Sequence, residues 1–333
     1  MNAQSLMRIP AESYVRDRFL GGSDIAGVIG LSDFGDTPLS VYLRKRKEPG
    51  LQPPQFEKPY FKRGKLWEKV VGEMLVDELT KRGYRVNKLA NNERYSDADH
   101  AFLAAEIDYE LQIEGFDHTV NCELKTVTPF VASRWPQSDV EDMAPVGYTA
   151  QVLHGLGITR RPFGILAALF GADELRVYPV RYAQDIVDAM RADAVTLWHD
   201  HILAGVPPEP RTLADVERRY KEGNGQSLIA DDELVEKALQ LRALYAEIDK
   251  STTRAEVLEF QIKRAMGECE HLTVAGENAV NWKNRKFSIL EQEALKEAHP
   301  AIHKQFVRTG TTRAFSVLKG FKVPNSVCME KFK

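Results

Sequence analysis

The chain is 333 residues long with a formal net charge of -3 and a pI near 6.3, so it can hold a sizeable core but is not polycationic, and any nucleic-acid role must rest on a local basic patch. Three scattered cysteines, Cys122, Cys269 and Cys328, exclude a disulfide framework, a zinc ribbon and a four-cysteine iron–sulfur cluster. A polar N-terminus without an apolar signal core, and a most apolar run of only eight residues at 163–170, lead us to expect a soluble intracellular protein with no membrane partner.

In chain order, GGSDIAGVIG at 21–30 offers Ser23 at an N-cap position followed by Ile25, Val28 and Ile29, which predicts a glycine-rich turn and then a helix. Proline-rich residues 47–60 read as loop. Residues 64–82 predict a helix with Leu66, Val70, Met74 and Leu75 on its apolar side and Gly83 as its stop. Short strands are expected at 84–89, within 102–113 and at 119–126, the last two joined by a turn at 114–118. A helix at 148–157, a buried strand at 163–170, a strand at 175–181 and a helix at 185–203 follow, closed by the breaker Gly-Val-Pro-Pro-Glu-Pro at 205–210. That order is a mixed α/β (α+β) layer with a meander inside it. From 231 to 267, Leu234, Leu241, Ile248, Ala255 and Ile262 recur every seven residues, so a long packed helix or a helical hairpin broken near Ser251-Thr252-Thr253 is expected. Residues 271–333 hold eleven basic against five acidic residues, interleaved with Trp282, Phe287, Phe306, Phe315 and Phe321. Such a segment is either a small β-rich module with inward aromatics or a nucleic-acid-binding surface. The expected division is a domain at 1–210, a linker at 211–230, and a C-terminal long helix or hairpin with a small basic module at 231–333.

Chemistry concentrates in the meander. On the strand at 119–126, Val120, Cys122 and Leu124 point one way while Glu123 and Lys125 point the other. In the preceding strand Ile107, Tyr109 and Leu111 alternate with Asp108 and Glu110, so pairing of the two strands can bring Asp108 to Glu123 and Lys125. Two carboxylates on one polar face of a core sheet raise each other's pKa or recruit a cation. Mg²⁺ takes a few carboxylate oxygens together with water and phosphate oxygens, and can activate water against a phosphodiester. Lys125 would then steady the developing charge or position that water. A solvated ion pair on a half-buried strand is the alternative.

Asp108, followed fifteen residues on by Glu123-Leu124-Lys125, resembles the D…(D/E)xK signature of the restriction-endonuclease-like nucleases. Its flanks resemble one branch of them, the phage lambda-type exonucleases with the YqaJ-like viral recombinases. GGSDIAGVIG is similar to that family's Gly-Gly-Ser-Asp motif, RGKLWE at 63–68 to its R-G-x-x-x-E helix motif, CELKT at 122–126 to its catalytic strand and YTAQV at 148–152 to its Y-x-A-Q-V helix, in family order over roughly residues 14–205.

The resemblance implies a restriction-endonuclease-like core, a mixed central sheet flanked by helices, with a C-terminal helical and small β-rich appendage. It implies that Asp108, Glu123, the backbone carbonyl of Leu124 and Glu68 hold Mg²⁺, with Mn²⁺ as a substitute, and that Lys125 is the catalytic lysine. Gln151 and Tyr148 would contact the scissile region, and Arg16 and Ser23 a terminal 5′-phosphate. Glu73 rivals Glu68, and Arg18 rivals Arg16. Glu106 stands where family members often carry a small polar residue, which puts a phosphate contact there in doubt. The implied activity is a Mg²⁺-dependent 5′-to-3′ exonuclease acting on double-stranded DNA ends and leaving 3′ single-stranded overhangs for phage-type recombination by strand annealing. A ring-shaped homo-oligomer, a single-strand annealing protein as partner, a phage or prophage origin and the cytoplasm of a bacterial host belong to the same expectation. A structure-specific or restriction-like endonuclease, and a non-catalytic DNA-binding scaffold on the same fold, remain open.

Overall fold

A computed structural model describes residues 6–47, 59–136, 144–308, 310, 312–318 and 323, with the backbone alone at 59–61. Phe321, Cys328 and most of the proline-rich loop lie outside the described residues. The chain divides into two compact units, Met1–Arg219 and Tyr220–Lys333.

The first unit holds helices α1 (Gly22–Val28), α2 (Pro38–Arg46), α3 (Pro59–Lys81), α4 (Val146–Thr159), α5 (Gln184–Thr196) and α6 (Leu213–Arg219). They surround a sheet of β1 (Met7–Arg8), β2 (Val86–Ser96), β3 (Ala104–Ile113), β4 (Val120–Val127), β5 (Phe163–Phe170) and β6 (Glu174–Arg181), lying in chain order. Neighbours are antiparallel except β4 and β5, which are parallel. Parallel neighbours need a crossover, and α4 supplies it. The fold is therefore a mixed α/β sheet flanked by helices.

Two cores sandwich that sheet. Residues of α1, α2, α4 and α5 pack on one face, and Val71, Leu75 and Leu79 of α3 on the other. β5 reads as an unbroken apolar run because both its faces are covered: Leu166, Ala168 and Phe170 enter the first core, Ile165, Ala167 and Leu169 the second. Among the described residues no helix is long and apolar enough to cross a membrane.

Several local expectations are corrected. Ser23 does not cap α1: the N-cap is Gly21, and Asp24 at N3 accepts the Gly21 N–H at 3.1 Å. On α3, Leu66 and Val70 are 68% and 45% exposed, whereas Leu75 is buried as expected, in a stripe with Val71 and Leu79. α2 escaped the periodicity reading, although Thr37 and Ser40 form a reciprocal cap ahead of it with Pro38 at N1. β2 spans Val86–Ser96 and so runs on well past the strand expected at 84–89. In β3 the alternation slips: Ala105 and Ile107 pack in the first core, whereas Tyr109, Leu111 and Ile113 pack in the second. The slip falls at Asp108.

Gly72 lets α3 lie directly on the Tyr109 ring, since a Cβ there would sit within that ring's van der Waals surface. Gly72→Ala is expected to cost about 1–3 kcal/mol of stability through overpacking, read as a lower urea midpoint with an unchanged slope.

The second unit contains α7 (Asp232–Met266), a hairpin of β7 (His271–Val274) and β8 (Glu277–Asn281), α8 (Gln292–Ala298) and α9 (Pro300–Phe306). α7 is one uninterrupted helix, with no break at 251–253, because Ser and Thr are tolerated where the Thr253 hydroxyl donates to the Asp249 carbonyl. Its heptad is not a packed seam: only Val235, Leu239 and Met266 are buried, while Leu244, Ile248 and Leu258 are exposed. Trp282, Phe287, Phe306 and Phe315 are likewise exposed, so the aromatics described here do not fill a β-rich core.

Candidate active site

The β3–β4 ladder spans only Tyr109↔Cys122, Glu110↔Asn121 and Leu111↔Val120. Beyond it the Leu124 N–H is bonded not by a backbone carbonyl but by the Asp108 carboxylate, at 2.7 Å. The N–H and C=O of one strand residue leave the same edge, so the Leu124 carbonyl faces the same gap. Its side chain stays in the second core with Val120 and Cys122. Burial pushes the Cys122 thiol upward, so it packs as a small apolar group.

Glu123, only 8% exposed, points to the α4 side. Its Oε1 accepts from Lys125 Nζ at 2.5 Å and from Gln151 Nε2 at 2.6 Å. Burial opposes the charge on Lys125, but Glu123 and Asp108 outweigh it and hold the ammonium above its ordinary range. Burial first, and then the Glu123 charge, push the Asp108 carboxyl well above the usual carboxylate range. The Tyr148 ring lies 5.6 Å from Lys125 Nζ, and burial raises its phenol so that it stays protonated at neutral pH. Glu68 is half-buried, hydrogen-bonded with Asn92, and its carboxyl is raised by burial and by the charges of Glu106 and Glu123. Glu73 is exposed, so of the two helix carboxylates Glu68 is the one in this electrostatic neighbourhood. Glu106 pairs with Arg94 at 2.5 Å and so presents no free charge to a phosphate.

α4 is fixed against the sheet by His154, whose Nε2 donates to the Ala104 carbonyl at 2.9 Å. α1 closes in from the other side. A Cβ on Gly22 would stand 2.9 Å from Gln151 Cγ, so glycine is what lets this turn touch the side chain that holds Glu123. A cavity of about 20 Å³, room for a single water, lies between Gly22, Glu106, Glu123 and Gln151.

The model of the YqaJ-like viral recombinase domain matches residues 13–162, which include every one of these side chains. No curated protein matches the chain. Among solved structures it is similar to an alkaline exonuclease, LHK-Exo, from Laribacter hongkongensis (11% identity, TM-score 0.42, 57% of this chain and 91% of that one). It is also similar to LHK-Exo in complex with dAMP (11%, 0.42, 61% and 94%) and to SSO0001 (15%, 0.35, 60% and 91%).

Within the matched residues Arg16 and Ser23 are both exposed, and among the described residues no hydrogen bond or ion pair links either side chain to Glu123 or Lys125. Arg18 is exposed as well. What holds this region is a buried cluster that the sequence reading missed. Asp24 receives Lys45 Nζ at 2.6 Å and Arg44 at 2.9 Å, and Lys45 Nζ also donates to the Arg16 carbonyl at 2.8 Å. Burial alone would raise the Asp24 carboxyl, but Lys45 and Arg44 hold it below the ordinary range. Arg44 is kept above its own ordinary value by Asp24 and Asp36 against burial, whereas burial wins at Lys45 and lowers it. Arg44 is thus the firmer charge of the pair. The missing signal was the cap of α2, since without that helix Arg44 and Lys45 have no assigned place. Further along the sheet, Arg161 joins Glu110 at 2.5 Å and Asn121 at 2.6 Å, with the Tyr95 hydroxyl donating to Glu110 at 2.8 Å. These buried groups, two residues from Asp108 and Glu123, pin the two strands where they part.

Proposed function

We propose that the YqaJ-like domain is a Mg²⁺-dependent deoxyribonuclease that degrades one strand of a duplex from its 5′ end and leaves a 3′ overhang for strand annealing. The observation that carries the reading is the gap beside β4, where Asp108, Glu123, Lys125 and Gln151 meet around an excess of negative charge.

That gap fits a divalent ion. Among the described residues no group of three or more His, Cys, Asp and Glu is placed to hold a metal. Mg²⁺ does not need one, because it keeps several waters and substrate oxygens beside one or two carboxylates. The elevated Asp108 carboxyl marks charge that a cation would relieve. Asp108, Glu123 and the Leu124 carbonyl would hold it, with Glu68 reaching it through water, and Mn²⁺ would substitute. Bound there, it would polarise a phosphoryl oxygen and lower the pKa of water. The ammonium of Lys125, kept charged by its carboxylate neighbours, would serve as a proton donor to the scissile phosphate. Gln151 holds Glu123 in place, and Tyr148 and Gln151 would contact the scissile region of the DNA. Arg16 and Ser23 would take the terminal 5′-phosphate, a fork and a hydroxyl free of other partners among the described residues. A homo-oligomeric ring would let a chain of net charge -3 gather its basic faces around DNA. A single-strand annealing protein as partner, phage or prophage origin, and the cytoplasm of a bacterial host complete the proposal.

The experiment is digestion of a linear duplex bearing a 5′-phosphate or a 5′-hydroxyl, with a closed circle as control, with Mg²⁺ or EDTA. Loss of the phosphate-ended strand in Mg²⁺ only, with the circle intact, is expected. Cutting of the circle would favour a structure-specific endonuclease, and no turnover at all a DNA-binding scaffold. Equal rates on the two ends would remove the Arg16 and Ser23 assignment.

A further inference from the structure

Phe34 is 79% exposed, yet it is not on a loose tip. Its backbone N–H donates to the Ser32 hydroxyl at 3.2 Å, the Leu31 N–H to the Ala26 carbonyl at 2.8 Å, and the Gly35 N–H to the Ser32 carbonyl at 3.2 Å. The loop also rests on the first turn of α4, where a Cβ on Gly147 would lie 3.4 Å from the Leu31 carbonyl oxygen. Asp36, at the loop's end, is tied to Arg44 at 3.2 Å and to Ser40 at 2.9 Å. A large apolar ring held in water on an anchored loop adds little to folding, because burial is what stabilises apolar surface.

Its position indicates a use. The Phe34 ring stands edge-on to Tyr148 with centroids 6.2 Å apart, and Tyr148 is the ring beside Lys125 Nζ. Behind Tyr148, Trp135 lies 4.9 Å away and buried, so Tyr148 is braced and Phe34 is the outermost ring of a row leading from the core past the lysine. Residues 31–36 contain no Lys or Arg and two Asp, so the loop is unsuited to a phosphate backbone. An aromatic face without cations suits a nucleobase, which carries no charge and stacks regardless of sequence.

We propose that Phe34 is a stacking platform for the base of a nucleotide next to the one being cut, gripping the DNA end through its bases while Lys125 and Glu123 act on the backbone. This rests on the nuclease reading of the same site. The loss of one base–aromatic stack corresponds to a roughly 5- to 100-fold change in affinity.

The test uses the full-length protein and a duplex with 2-aminopurine as the terminal base of its 5′-phosphorylated strand, in EDTA. Stacking quenches this fluorophore. Wild type and Phe34→Trp should quench it on binding, while Phe34→Ala and Phe34→Leu should leave it bright and bind roughly 5- to 100-fold more weakly. Quenching and affinity unchanged in Phe34→Ala, or restored by the non-aromatic Phe34→Leu, would overturn the proposal, as would wild-type protein that never quenches the base. A wild-type protein that quenches the base but cuts no DNA in Mg²⁺ would instead sink the nuclease reading and leave the stacking in place.

Discussion

Lys125→Ala is expected to lower the rate of DNA degradation by about 10²- to 10⁴-fold, the usual worth of a positioned proton donor or acceptor. The side chain makes its 2.5 Å bond to Glu123 and sits beside the charge of Asp108, so its removal also leaves those carboxylates without their ammonium. A folding defect must therefore be separated from a catalytic one. Lys125→Arg keeps the positive charge but spreads it over a planar fork in place of a compact ammonium. It should melt close to the wild type, bind duplex DNA with similar affinity and still be slow. Degradation by either variant at the wild-type rate would show that Lys125 is a structural ion pair and that the site lies elsewhere.

Asp24→Asn should be the most damaging change to stability among the polar residues discussed. Asp24 has only 8% of its side chain exposed and is the shared partner of Arg44 and Lys45. Breaking a buried pair by neutralising one member leaves the other charges uncompensated, at about 3–5 kcal/mol. For a unit of about 200 residues that corresponds to a fall in Tm of roughly 6–20 °C. The pH dependence has a definite sign. Because Asp24 is held below its ordinary range, it stabilises the fold above the unfolded carboxylate value of about 3.9, and this contribution fades as pH falls through the lower, folded value. The gap in Tm between wild type and Asp24→Asn should therefore be full at pH 7 and close progressively below about pH 4. A variant that melts with the wild type at pH 7 would contradict the assignment of Asp24 as the anchor of Lys45, and through it of the Arg16 backbone.

Periodicity served best where burial is two-sided or strictly alternating. β5 was legible because a strand covered on both faces has no polar residue to interrupt it, and in β4 Val120, Cys122 and Leu124 separate cleanly from Glu123 and Lys125. It failed where a local break serves the site. The apolar alternation of β3 predicted one face for Ile107 and Tyr109, but the strand slips at Asp108, and no pattern of residue types announces a slip of one position. The apolar side of α3 was right at Leu75 but misplaced at Leu66 and Val70, which look like core residues by type, whereas packing against the sheet selects Val71. The same limit applies to α7, whose heptad records an apolar stripe but not whether anything covers it.

For the candidate site, the sequence by itself determined the chemical inventory: two carboxylates and an amine at strand spacing, a glutamate on a helix, and a glutamine on the crossover helix. These follow from residue type and local period, which are properties of a few neighbouring positions. Only the tertiary structure decided which groups meet. It put Asp108 on the Leu124 amide where the ladder ends, Gln151 on Glu123 across the α1 glycine, and Asp24 between two cations of a helix twenty residues away. Those contacts join distant segments, and their energy comes from excluding water around paired charges, which no local pattern encodes.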